Sequence, residues 1–460
     1  MHFVFIQPPI GRGVVSVTPS LSIPYLAAIV EGKQIQVSVV VSDAEGLGVK
    51  ETAAKVIALR PDIVGFSIGT VAAFNSYQIA RLVKAKIRDV ITIAGGHHVT
   101  ILPEEVLSNG IDFAAIGEGE KTISEFCDYL LNLIKLENVH GIAFRQGDSI
   151  KYNTAQTAIE NLDDLPLPAW HLMPIDRYKS DFQKTLRNLP VMTSRGCPGQ
   201  CIFCYKGLFG SKFRTRSPKS IVGEIKYLKN TLGITSFDFI DDFFAAIPSR
   251  AIEICELLKK EQLNLPWGLP SGIRVDVVNE ELLRAFKEAG CYRIGFGVES
   301  GNDQVLRIIK KHTTKDQIRK AVRLAQLMQF ETNCFFIIGN LGETESSIND
   351  TIEFALELDP DIVQFTVAIP YPGTEMYQTL KQRNEIISFK WSDYDYFRPD
   401  HPIFRHEHLR HDVIKKKYVE AYRRFYLRPK FIIKKIKALK NIDTASKLIK
   451  SFLRLFSLLK

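Results

Sequence analysis

Cysteine is scarce in this sequence, with seven residues in 460. An odd count spread over a long chain excludes a disulfide framework, which needs paired cysteines in a small secreted domain. No apolar run reaches the ~18 residues of a membrane-spanning helix. The start, Met-His-Phe-Val-Phe-Ile-Gln-Pro-Pro, lacks a basic region and a long apolar stretch, so it reads as a first strand rather than a signal. Excess charge is also missing from most of the chain. Residues 415–460 hold 15 Lys/Arg and 2 Asp/Glu, a net of +13, whereas the rest carries −4 of the total +9. The basic character belongs to a C-terminal tail, not to the body. What remains is ordinary globular composition, 45% hydrophobic and 24% charged. The length predicts two to three domains, and unpaired thiols fit a reducing cytoplasm.

Three of the seven cysteines stand together. Cys197, Cys201 and Cys204 lie in Arg-Gly-Cys-Pro-Gly-Gln-Cys-Ile-Phe-Cys-Tyr, a C-x3-C-x2-C string with Phe203 before the third thiol. A structural zinc site wants four ligands, usually as two separated pairs, and no second pair is near. Three thiolates this close can instead hold a 4Fe-4S cluster by three corners, which leaves one iron open for chemistry. Cys127, Cys255, Cys291 and Cys334 fall in apolar segments and are predicted to be buried core thiols.

Upstream, short apolar runs alternate with helical patterns. His2–Gln7, Val37–Ser42, Ile63–Ser67, Ile91–Gly95 and Phe113–Ile116 read as strands. Leu21–Val30, Glu51–Ala58, Tyr77–Ile87 and Thr122–Leu133 read as helices. Strands apolar throughout predict a parallel, doubly wound sheet, whose ligands bind at the carboxyl ends of strands. Those ends carry Gln7-Pro8-Pro9, Asp43, Ser67-Ile68-Gly69-Thr70, Gly95-Gly96-His97 and Gly117-Glu118-Gly119-Glu120, with glycines that permit close backbone approach. Residues 141–152 read as a hairpin turning at Gln146-Gly147-Asp148. The acidic, Pro-rich stretch 155–180 reads as a linker packed across both domains.

Residues 190–375 resemble a radical S-adenosylmethionine (SAM) domain, on the cysteine motif and the segments after it. Strand candidates recur at Val191–Thr193, Phe237–Ile240, Trp267–Ile273, Arg293–Val298, Asn333–Ile338 and Ile362–Val367. Six βα units imply the family's partial (β/α)6 barrel, with reactive groups at the C-terminal strand ends. The resemblance implies that Cys197, Cys201 and Cys204 bind the 4Fe-4S cluster. It implies SAM contacts from Phe203, from Asp241 or Asp242, from Glu299 and Ser300, and from Gly339. SAM would chelate the open iron through its amino and carboxylate groups, and electron transfer would release a 5′-deoxyadenosyl radical able to attack an unactivated C–H bond; the cofactor carries that step.

The N-terminal part resembles the cobalamin-binding domain of the cobalamin-dependent radical SAM family, on Gln-Pro-Pro, Gly-Gly-x-His and Gly-Glu-Gly-Glu. Ser67, Thr70, Gly95, Gly96, His97 and Gly117 are then the implied cobalamin contacts. The D-x-H-x-x-G motif that supplies a cobalt ligand elsewhere is absent, so no axial ligand is named. The expected domains are a Rossmann-like cobalamin domain (1–138), a hairpin and linker (139–185), a radical SAM domain (186–392), and a substrate-capping segment with a basic amphipathic tail (393–460).

The family implies a cytoplasmic C-methyltransferase using SAM twice, once to methylate cobalamin and once to make the radical. A cyclase like those of anaerobic tetrapyrrole synthesis, a radical SAM enzyme without cobalamin, and a non-catalytic iron–sulfur sensor are the alternatives. The expected partners are a small-molecule or lipid-like substrate and an electron donor such as flavodoxin or ferredoxin.

In the cap, His401, His406, His408 and His411 show no repeated ligand spacing, so a solvated segment is expected. In the tail, Ile414, Tyr418, Tyr422 and Phe425 share one face, as do Leu448, Phe452, Leu455, Phe456 and Leu459. Lys-rich amphipathic helices suit an anionic membrane surface, so peripheral contact through 413–460 is expected. Packing on the barrel is the alternative, and nucleic acid is disfavoured because no RNA-binding motif is present.

Overall fold

The computed structural model describes residues 1–10, 19–178 and 187–437. Five apolar segments form a parallel sheet: β1 (His2–Gln7), β2 (Gln36–Val41), β3 (Ile63–Ser67), β4 (Ile91–Gly95) and β5 (Phe113–Ala115). Helices Ser22–Gly32, Val49–Ala58, Ala73–Lys84 and the short pair His97–Ile101 and Pro103–Ser108 connect them on both faces, and Gly119–Leu130 follows β5. The hairpin strands β6 (Ile142–Gln146) and β7 (Ser149–Tyr152) continue the same sheet antiparallel. The strand order is β2-β1-β3-β4-β5-β6-β7. The chain leaves β1 toward β2 on one side and returns to β3 on the other, which opens a crevice at their carboxyl ends.

The linker does pack across both halves. Ala169 N donates to Pro24 O at 2.9 Å, and Trp170 is fully buried in a core shared by Phe3, Ile23 and Leu189.

The second sheet runs β8 (Asn188–Val191), β11 (Ser236–Phe239), β12 (Trp267–Ile273), β13 (Cys291–Glu299), β14 (Glu331–Ile338) and β15 (Ile362–Val367), each parallel to its neighbour. Its helices start where the sequence signals a start. Ser217 caps the helix Pro218–Leu232 through Ser220 N, with Pro218 at the first position. Asn279 caps Glu280–Glu288, and Thr314 closes a capping box on Lys315–Leu327. Two short strands, β9 (Ser194–Arg195) and β10 (Arg214–Thr215), pair antiparallel and close the base of the cysteine loop.

The basic tail divides. Helix His411–Tyr426 lies on the barrel's outer side, with Ile414, Tyr418, Ala421 and Phe425 buried. Tyr422 and Tyr426 hydroxyls donate to Phe365 O (2.9 Å) and Val363 O (2.7 Å) of β15. This corrects the membrane expectation for the first apolar face, because the edge strand already covers it. Helix Pro429–Lys437 follows, with Lys430 on Asp359 at 2.7 Å and Lys434 on Asp361 at 2.8 Å. The second face, Leu448 to Leu459, lies outside the described residues. His406 departs from the expected solvated cap: it is buried and its Nε2 lies 2.8 Å from Asn340 O.

Candidate active site between the sheet and the barrel

The carboxyl ends of the first sheet form an open floor. A Cβ placed on Gly69 or Gly117 would meet nothing within 4 Å. Gly96 sits at φ +109°, where a Cβ would press on Ile68 O at 2.8 Å, so the turn needs glycine. Ser67 Oγ lies 3.2 Å from Ser22 Oγ, Gly117 N donates to Thr100 Oγ1 at 3.1 Å, and Thr70 is buried at the start of a short 3-10 turn. Gln7 Oε1, at the crevice, is a buried acceptor without a partner among the described residues. Glycine turns, hydroxyls and one unsatisfied amide suit a broad ligand rich in amide groups, so this floor fits cobalamin.

His97 leaves this floor and faces the barrel. Its ring meets that of Tyr205 edge-on at 6.0 Å. Burial pulls the imidazole below its usual range, and nearby Asp242 opposes that. Asp242 moves the other way: burial raises its carboxyl, against a bond from Gly196 N and the charges of His97 and Arg195. His97 and Asp242 are nonetheless both solvent-exposed, so residues from the sheet and the barrel meet at one open cleft.

Across it lies the cysteine loop. Cys197 and Cys201 are half-buried and Cys204 is exposed, while Cys127, Cys255, Cys291 and Cys334 are buried as expected. Cys204 hydrogen-bonds Cys201 and pulls that thiol down, while the same bond and burial push the Cys204 thiol up. At Cys201 burial opposes the fall, and the cations of Lys311 and Arg274 reinforce it. A thiol poised as thiolate is what metal binding requires. Among the described residues no three ligands converge tightly enough for a single ion. A four-iron cube asks for wider spacing, because each sulfur binds a different iron. The three accessible thiols on one loop therefore fit the cluster.

The barrel's strand ends surround the loop with charge. Arg274, after β12, forks onto Asp276 at 2.8 Å, and its guanidinium bears on Cys197 and Cys201. Glu299 ends β13 at φ +66°, a backbone region that non-glycine residues avoid and that marks functional sites. Its Oε1 accepts from Lys311 Nζ at 2.7 Å, both side chains being about 10% exposed. Phe203 is half-buried against the core beside the loop.

The other sequence candidates are engaged internally. Asp241 is buried and accepts from Thr193 N at 2.6 Å and Ser194 Oγ at 2.8 Å, which leaves Asp242 as the acid facing the space. Ser300 is fully buried, 3.1 Å from Thr351 Oγ1. Gly339 is buried, and a Cβ there would touch Ile414 at 3.3 Å. Its N–H donates to Glu343 Oε2 at 2.6 Å, as does Asn340 N at 2.9 Å. Glu343 is wholly buried, and burial raises its carboxyl to about 8 against those two bonds.

Sequence reading gave no role to Lys311, Arg274 or Glu343. It also missed the use of Glu118 and Glu120, which bind Arg195 and Arg214 rather than facing the floor.

Residues 191–355 match the radical SAM superfamily and residues 9–127 match the B12 binding domain. The chain is 34% identical over 446 residues to an uncharacterized methyltransferase of Pyrococcus horikoshii, covering 95% of each. It is 27% identical over 449 residues to an anaerobic magnesium-protoporphyrin IX monomethyl ester cyclase of Rubrivivax gelatinosus, covering 94% of this chain and 78% of that one. The cobalamin-dependent SAM radical enzyme OxsB, solved with aqua-cobalamin and SAM, superposes with a TM-score of 0.76 at 19% identity, over 99% of this chain and 71% of that one.

Proposed function

The chain belongs to the cobalamin-binding-domain radical SAM family and is a radical SAM enzyme using a 4Fe-4S cluster, SAM and cobalamin; we propose that it methylates an unactivated carbon of a small molecule. The observation that carries this is the shared space, with His97 from the sheet against Tyr205 and Asp242 from the barrel. When bound, the cofactors supply a carbon radical and a transferable methyl group.

The residues divide the work by charge. Cys197, Cys201 and Cys204 hold the cluster. Arg274 would meet the SAM carboxylate and Asp242 would accept from its amino group, polar bonds of opposite sense. Glu299, held in place by Lys311, would accept from a ribose hydroxyl. Phe203 packs on adenine. Ser67, Thr70, Gly95, Gly96 and Gly117 would line the corrin, with His97 at its edge toward the barrel.

A second reading, oxidative ring closure, is favoured by the likeness to the cyclase over 94% of the chain. SAM carrying a trideuteromethyl group separates the two. Deuterium in the product supports methyl transfer, and an unlabelled, cyclised product replaces it. A reduced flavodoxin or ferredoxin is the electron source in this proposal.

Contact with a membrane, and with it a lipid-like substrate, rests on residues 438–460 and their Lys-rich, Leu/Phe-rich pattern. No helix among the described residues is long and apolar enough to cross a membrane. Flotation with anionic vesicles should recover the intact protein and not a form ending at 437. Equal behaviour ends the membrane idea.

A further inference from the structure

Glu118 is the N-cap of the helix Gly119–Leu130 that follows β5, and Glu120 lies in its first turn, both on the sheet side. Arg195 is the last residue of β9 and Arg214 the first of β10, the two short strands that frame the cysteine loop. Arg195 Nη1 donates to Glu118 Oε2 at 3.0 Å, and its Nη2 bonds Glu120. Arg214 bonds Glu118 Oε1 and donates to Ile159 O at 2.6 Å. None of the four side chains is more than 10% exposed.

The same arginines grip the loop itself. Arg214 Nη2 donates to Phe209 O at 2.9 Å, and the Arg195 guanidinium lies 4.9 Å above the Phe209 ring. Gly196 stands at φ +86°, with Lys212 O where a Cβ would go. The barrel holds the loop as well: at its base Gly196 N bonds Asp242 and Ser194 Oγ donates to Asp241 at 2.8 Å, and at its middle Ile202 N donates to Ile309 O at 3.1 Å and Met376 N to Ile202 O at 3.0 Å.

Burying four charges is costly even when they are paired, and apolar contact would join two domains at least as firmly. What such pairs add is geometry, since arginine's planar fork meets a carboxylate at a defined angle. Three ionic bonds to one turn fix the register of the loop against the sheet. Gly117, one residue before Glu118, opens onto the floor where the corrin is placed.

We propose that Glu118, supported by Glu120, is a positioning residue: through Arg195 and Arg214 it sets the separation between the cluster on the loop and the cobalamin on the sheet. This rests on the two-cofactor reading. A methyl group and a carbon radical must meet at one substrate carbon, so that separation decides whether a radical is used or wasted.

The test is electron paramagnetic resonance on the full chain, loaded with cluster and cobalamin and reduced so that both are paramagnetic. Relaxation enhancement of the cob(II)alamin signal by the reduced cluster reads their separation. Glu118→Ala and Glu118→Gln should lower it at least threefold with iron and cobalamin contents unchanged, and Glu118→Asp should restore part of it. Glu224→Gln breaks the buried Arg216–Glu224 pair inside the barrel; it should lower thermal stability and leave the coupling alone. Unchanged coupling in Glu118→Ala overturns the proposal, as does an equal change in Glu224→Gln. If Glu118→Ala does not fold, Arg214→Lys replaces it; the charge stays, the fork goes, and unchanged coupling again overturns the proposal. A wild-type protein that holds only one of the two centres overturns the two-cofactor reading and this proposal with it.

Discussion

At the strand ends of the N-terminal sheet lie Gly69, Gly95, Gly96 and Gly117 with the hydroxyls of Ser67 and Thr70. At the strand ends of the barrel lie three thiols, Arg274, Glu299 and Lys311. Both are parallel α/β assemblies that open at the same end, yet one offers backbone and space while the other offers charge. The difference follows the ligands. A broad ring carrying many neutral amides is held by close approach and scattered hydrogen bonds. A small zwitterion on a metal cluster needs a few fixed charges, whose force is greatest where water is excluded.

Changes on one side should therefore spare the other. The largest effect is expected from Cys201→Ala, which should take 5′-deoxyadenosine formation to background while cobalamin still binds, measured by product chromatography and visible spectroscopy. Loss of cobalamin as well would show that the halves are not independent. Next, Lys311→Met leaves Glu299 buried without its partner and should cost about 3–5 kcal/mol in denaturant unfolding. A cost near zero would place water or another cation beside Glu299. On the sheet, Gly96→Val forces a β-branched residue to φ +109° against Ile68 O. It should cost about 1–3 kcal/mol and weaken cobalamin retention without loss of iron.

The smallest step is a pH gradient from the barrel alone. Glu343 holds its proton to about pH 8 when folded, against an ordinary value of 4.5. Between those values the folded form binds the proton and the unfolded form does not. The contribution is therefore full below 4.5 and is lost as pH rises through about 8, by at most about 1.4 kcal/mol for each pH unit. Glu343→Gln should flatten that fall in a series of thermal melts. An unchanged slope assigns the gradient elsewhere.

Much of this was legible in the chain. Strands β1 and β3 to β5 read directly, because buried parallel strands are apolar on both faces. Helix starts were less legible: Ala73–Lys84 begins four residues before the periodic pattern at Tyr77, in a turn set by packing. The hairpin was read as a hairpin but not as part of the sheet, since pairing with β5 leaves no local mark. The face of Ile414, Tyr418 and Phe425 was readable as apolar, but its cover was not, because a membrane and an edge strand ask for the same pattern.

The sequence by itself determined the family, the alternation of strand and helix, and the grouping of Cys197, Cys201 and Cys204, since spacings of three and two residues bring thiols together in any compact loop. Only the tertiary structure decided what surrounds them. Arg195 and Glu118 are 77 residues apart and Arg214 and Glu118 are 96 apart, with nothing periodic between them. Such pairs exist because two sheets meet at their carboxyl ends, and burial then leaves each charge no partner but the other.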